Sequence, residues 1–152
     1  MTRKIFSGMS LLAALLAAFV LGADDRFCRS GEIVGVEKLP SLPRINGFTR
    51  DALPEIDSPA VYVAVKIKAD ANRVFSIVDY QLEIAAEVLP CAAIDAGSGF
   101  TASDEDIKVA AGAEVTLLFE AHQAELKTAG GRAVLVYRLS DQGRIQSKIT
   151  IP

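Results

Sequence analysis

"VYVAVKIKA", residues 61–69, decides the fold class of this chain. Val61, Val63, Val65 and Ile67 fall on one face, and Tyr62, Ala64, Lys66 and Lys68 on the other. A repeat of two is the pattern of a pleated strand with one side packed into a core. The β-branched residues on the packed side reinforce it, because their stiff side chains suit a pleated surface.

Alternation continues on both sides of this stretch. Upstream, "EIVGVEK" (32–38) carries Ile33, Val34 and Val36 and reads as a first strand. Downstream, "DANR" is a turn, and "VFSIVDYQLEI" (74–84) gives one or two strands around a kink at Asp79. "AEVLPCAAI" (86–94) is an apolar run in which Pro90 implies an edge or an irregular strand, since proline gives no ladder donor. "DAGSGFTASDED" (95–106) is a loop, and "IKVAAG" leads into the strand "AEVTLLFEA" (113–121). "HQAELKTAGG" (122–131) is a connector with room for one helical turn. "RAVLVYRLS" and "RIQSKITI" are two final strands around the hairpin signal "DQG". Short strands separated by turn signals, with no long helix, predict an all-β antiparallel sandwich of about seven to nine strands.

Between residues 39 and 59 the pattern breaks. Pro40, Pro43, Pro54, Pro59 and Gly47 make this a long irregular connection, an uncommon feature inside a compact domain. Phe48, with Ile45 and Leu53, gives it an apolar foot that is expected to dock on its own domain.

The first residues set the compartment. Arg3 and Lys4 precede an apolar run over residues 5–22, followed by Ala23, Asp24 and Asp25. This is the layout of a secretory signal peptide, with cleavage expected after Gly22 and Ala23 as the near alternative. The competing reading is an uncleaved anchor, which needs about 20 apolar residues. The resulting organisation is a signal peptide at 1–22, an N-terminal strand and proline-rich connection at 23–60, and a sandwich core at 61–152. The two latter parts form one domain. The expected destination is the periplasm or the exterior.

Cleavage removes two cations from a chain with Lys+Arg 16 and Asp+Glu 19, so the formal charge moves from −3 to −5. A mildly acidic domain argues against nucleic acid and against anionic membrane surfaces. No later stretch approaches a membrane span.

Cys28 and Cys91 remain after cleavage. In an oxidising compartment an even pair reads most simply as one bridge, Cys28–Cys91, contributing roughly 4 kcal/mol by the chain-entropy argument. Two free thiols, or a bond to another chain, are the alternatives. A reactive Cys91 would need a base, and His122 is the chain's one histidine. One histidine and two distant cysteines do not make a zinc set. Asp95 with "SDED" (103–106) lacks the ligand spacing of a calcium loop. Ser98 in "AGSGF" is not in a nucleophile elbow. Glu83 with Glu87, and Asp104 with Asp106, read as surface charge. Tyr62 and Tyr80 read as packed or half-packed rings, not as sugar platforms.

Three motifs carry a family resemblance. "VYVAVKIKADANRVFSIVDYQLEI" (61–84) pairs a strand and turn with an Asp-aromatic-x-Leu element at Asp79, Tyr80 and Leu82. "VAAGAEVTLLFEA" (109–121) gives a turn at Ala111, Gly112, Ala113 and Glu114, without the family's proline, then a strand ending in Phe-Glu. "AVLVYRL" (133–139) is the penultimate strand. Over residues 61–149 the chain resembles DUF4352-type domains, related to immunoprotective extracellular Ig-like proteins of bacteria. The resemblance implies an Ig-like sandwich and carries over no catalytic residue. Residues 39–59 have no counterpart in it.

The expected function is therefore an exported, non-enzymatic binding or adaptor module with a protein or cell-envelope partner, with no catalytic, metal or cofactor residues. A small exported thiol or metal protein built on Cys91 and His122 is one alternative. A structural accessory of an envelope complex is another.

Overall fold

The computed structural model describes residues 27–28, 31–46, 59–139 and 143–152. The expected signal peptide, Phe48, Leu53 and most of the proline-rich connection lie outside the described residues, as do Asp141 and Gln142 of the last hairpin turn.

The described strands are β1 (Phe27–Cys28), β2 (Gly31–Leu39), β3 (Ile45–Asn46), β4 (Ala60–Ala69), β5 (Arg73–Phe75), β6 (Tyr80–Ile84) and β7 (Glu87–Pro90). They continue with β8 (Ala93–Asp95), β9 (Phe100–Thr101), β10 (Ile107–Val109), β11 (Glu114–His122), β12 (Arg132–Leu139) and β13 (Gly143–Thr150). One short helix, α1 (Gln123–Thr128), follows β11. The expected antiparallel sandwich is the observed architecture. A large sheet runs β1-β2-β4-β11-β8-β9-β3, a smaller one runs β13-β12-β6-β7, and β10 pairs with β5 beside them. The strand number exceeds the expected seven to nine because six elements are only two or three residues long.

The period of two in residues 61–69 becomes the centre of the large sheet, with β4 held between β2 and β11. Val63, Val65 and Ile67 of β4 and Val115, Leu117 and Phe119 of β11 are all 0% exposed. They face Tyr80, Leu82 and Ile84 of β6 and Leu135 of β12 across the core. Each such side chain contributes about 1.5–3 kcal/mol relative to an exposed one. Tyr80 stacks on Phe75 at 5.9 Å and meets Tyr137 edge-on at 5.2 Å, so it is a core ring.

The outer face of the large sheet is also covered. Ala93 and Leu118 are buried there against Ile45, with Leu39 and Leu42 packed alongside, and Ala64, opposite Leu118, is buried on the same face. After β2 the chain crosses this face, and β3 joins the far edge in parallel with β9. The connection read as wholly irregular therefore contains a two-residue strand. Ile45 of this segment packs on the sheet, whereas Phe48, which carried the docking expectation, lies outside the described residues.

At Cys91 and Ala92 the chain passes from one sheet to the other. The Cys91 amide donates to Tyr80 O in the small sheet, and the Ala92 amide donates to Leu118 O in the large sheet. This explains Pro90: it ends the edge strand β7 where the chain leaves the ladder.

Candidate binding edge

One flank of the sandwich is stitched and the other is open. On the stitched flank, His122 ends β11 and Glu87 begins β7. The His122 ring Nδ1–H donates to Glu87 Oε1 at 2.7 Å, joining the two sheets through a partly buried pair.

On the other flank, β2 and β13 border a shared mouth, and β1 lies against β13. Strand β1 pairs only with Gly31 and Glu32, so among the described residues β2 is an edge from Ile33 onward. That edge is interrupted: the register with β4 shifts between Ile33 and Gly35, leaving Val34 43% exposed. A bulge of this kind twists an edge away from further pairing. Strand β13 carries no such interruption. Its register with β12 runs unbroken from Arg132↔Thr150 to Leu139↔Gly143, and among the described residues β12 is its one ladder partner, with β1 packed beside it but not paired to it.

Two depressions border β13. The first, about 250 Å³, lies at the mouth between the sheets, lined by Ile33, Val34 and Val36 with Ile149. The second, about 540 Å³, lies on the outer face of the small sheet. Cross-strand register fixes its floor: Glu83, Val134 and Lys148 form one row, and Arg132 and Thr150 the next. Ala85, in the left-handed region at φ 52°, turns β6 into β7 at its rim. Arg132 and Lys148 are both exposed cations on this face, diagonal to each other. The Arg132 Nε–H donates to Ala129 O at 3.2 Å.

The structure does not bring Cys28 and Cys91 together. The Cys28 backbone pairs with Gly31 on β1, and its side chain lies outside the described residues. Cys91 sits beside β11 at the start of β8, four strand positions away in the large sheet. Each position is about 4.8 Å wide, and a bridge needs Cα atoms within about 7 Å. Cys91 is instead a free, buried thiol. Its S–H donates to Ala93 O at 3.4 Å, and burial pushes its pKa up to about 12. Such a thiol holds its proton at neutral pH and makes a poor nucleophile.

His122 is likewise apart from Cys91. Ala92 is bonded to Leu118, four residues before His122 on β11, which at about 3.3 Å per residue separates the two by roughly 13 Å. Glu83 and Glu87 face opposite sides of the small sheet, because Glu83 pairs opposite Val88 and Glu87 opposite the core residue Ile84. Asp95 folds its own loop: its carboxylate accepts from the amides of Gly97 at 2.7 Å and Gly99 at 3.0 Å. Ser103 Oγ accepts from the Glu105 amide at 3.2 Å, so the acidic run closes a turn.

Sequence reasoning did not single out Val34, Arg132, Lys148 or Ile149, and it read Glu87 as surface charge. Their importance comes from strand order, which places β2 and β13 at one flank. No local pattern encodes that order.

No family model matches the chain, and no curated protein matches it. Among solved structures the chain is similar to an uncharacterized β-sandwich protein from Clostridium difficile 630, at 16% identity and a TM-score of 0.45, over 82% of this chain and 88% of that one.

Proposed function

We propose that this chain is an exported, non-enzymatic binding module that engages a protein partner of the cell envelope along its open flank. The observation that carries the reading is the uninterrupted edge of β13, bordered by a depression on each side. An exposed regular edge is a template for pairing with another chain. Binding in place of catalysis is supported by the shielding of Cys91, its distance from His122, and the engagement of His122 by Glu87. Export is supported by the charge and apolar layout of residues 3–25. Membership of the DUF4352-type domains is supported by the placement of two motif residues, Tyr80 and Leu82, in the core of β6.

A site-specific photo-crosslinker tests this reading in the producing cells. It is placed at Val34 on the open flank and, as a control, at Val78, which is 65% exposed at the opposite end of β12. Discrete adducts from Val34 that are missing from Val78 are expected. Equal labelling from both positions, or none from Val34, overturns the reading.

A further inference from the structure

The open flank has a chemistry that selects its occupant. We propose that β13 takes up an extended peptide segment in which acidic and apolar residues alternate, added as a further strand of the small sheet. The inference rests on the binding reading above and specifies its partner.

Strand addition draws affinity from main-chain hydrogen bonds and specificity from pockets that receive alternate side chains. Here the two sides of β13 differ in kind. Along β13, Ser147 and Ile149 are buried on the core side, while Gln146, Lys148 and Thr150 are exposed on the outer side. A residue of the incoming strand opposite Ile149 points into the mouth between the sheets. It meets Ile33, Val34 and Val36, an apolar lining that favours Val, Ile or Leu. A residue opposite Lys148 points to the outer face instead. It lies beside Lys148, with Glu83 two strands away across β12, so a carboxylate is favoured at this position. One step along the incoming chain therefore changes the preferred residue from acidic to apolar.

The competing edge and the competing occupant are both disfavoured. Strand β2 offers a bulge at Val34 where β13 offers a continuous ladder. A second copy of this chain would present Lys148 to the same edge, and like charges across a strand pair oppose association.

The test uses the full exported chain and short synthetic peptides blocked at both ends. One peptide alternates glutamate with isoleucine. A second alternates lysine with isoleucine. A third has the composition of the first with the alternation scrambled. Affinity is read by fluorescence anisotropy, and the site by amide hydrogen exchange. The Glu/Ile peptide is expected to bind, to slow exchange across residues 143–150, and to exceed the other two by about tenfold or more. In Lys148→Glu/Arg132→Glu the preference is expected to invert toward the Lys/Ile peptide. Both positions are exposed, and the inversion is a gain of binding that a folding defect cannot mimic.

Equal affinity for the three peptides overturns the proposal, as does protection confined to another strand. So does concentration-dependent dimerisation through β13, which would make a second copy the occupant. If the peptides fail while Val34 still yields discrete adducts, the alternating-peptide inference falls and the binding reading stands. If Val34 is silent while the peptides bind as expected, the flank's selectivity holds and the envelope partner falls.

Discussion

His122 and Glu87 stand 2.7 Å apart across the two sheets, one ending β11 and the other beginning β7. Among the described residues Glu87 Oε2 is buried with no partner, so the contact through Oε1 is the carboxylate's anchor. Removing the imidazole leaves a half-buried carboxylate with nothing to hold it. His122→Ala is expected to lower unfolding stability by about 1–2 kcal/mol. Glu87→Gln, which keeps the shape and removes the charge, is expected to cost less. Urea denaturation of the two single variants and the double variant measures the coupling; additive losses would show that the pair does not clamp the sheets.

Cys91 gives a second expectation. Burial raises its thiol to about 12, so folded protein at pH 8 is expected to resist a polar alkylating reagent for hours. The same reagent should label it at once in strong denaturant. Intact mass without reduction separates the cysteine states: labelling of Cys91 only after unfolding supports the free thiol, whereas an unlabelled chain two hydrogens light would restore the Cys28–Cys91 bridge.

The carboxyl of Asp79 is raised above its ordinary value, first by partial burial and then by the charge of Asp106. A raised folded-state pKa means that the folded chain holds this proton to a higher pH than the unfolded chain does. The associated stability is fully present below the ordinary value of 3.8 and is lost as pH rises through the folded value. At neutral pH ionised Asp79 is therefore a net cost. Asp79→Asn is expected to raise Tm by about 1–3 °C at pH 7 and to make no difference near about pH 3. A variant less stable than the parent at pH 7 would contradict this.

Gly131 and Gly112 form a matched pair for backbone strain. Both are left-handed, at φ 76° and 81°. A Cβ at Gly131 would lie 2.5 Å from Ile151 O, while one at Gly112 meets nothing within 4 Å. Gly131 also accepts a hydrogen bond from the Ile151 amide at 2.7 Å, which fixes the chain end beside β12. Left-handed backbone costs a non-glycine residue roughly 1–3 kcal/mol at either position. Gly131→Ala is expected to cost clearly more than Gly112→Ala in thermal melts, and equal losses would mean that Ile151 simply moves aside.

Much of the fold was legible in residues 61–69 because a central strand with one packed face must alternate. The same rule located β2, β11 and β12. It said nothing of the outer-face cluster, where Leu118 and Ala93 are buried against Ile45 of a crossing chain that, among the described residues, pairs through Ile45 and Asn46. Two-residue pairing has no period to detect, and its partner β9 lies far along the chain. The expected cysteine bridge followed from compartment and parity, which know nothing of strand order. That order separates β1 from β8. The open edge is a property of the same kind, since a strand becomes an edge only by what fails to pair beside it.

Cys91 and Ala92 bond to different sheets through consecutive amides, and His122 meets Glu87 on the same side. The sandwich is thus bound like a book, with its spine at β7 and β8 and its fore-edge at β2 and β13. A parting of the covers would turn about the spine and separate β1 from β13, so its widest excursion is expected at Val34 and Ile149. Amides there should exchange with solvent sooner than those of Leu118 and Tyr80, and a guest strand that closes the fore-edge would quiet the motion of the whole volume.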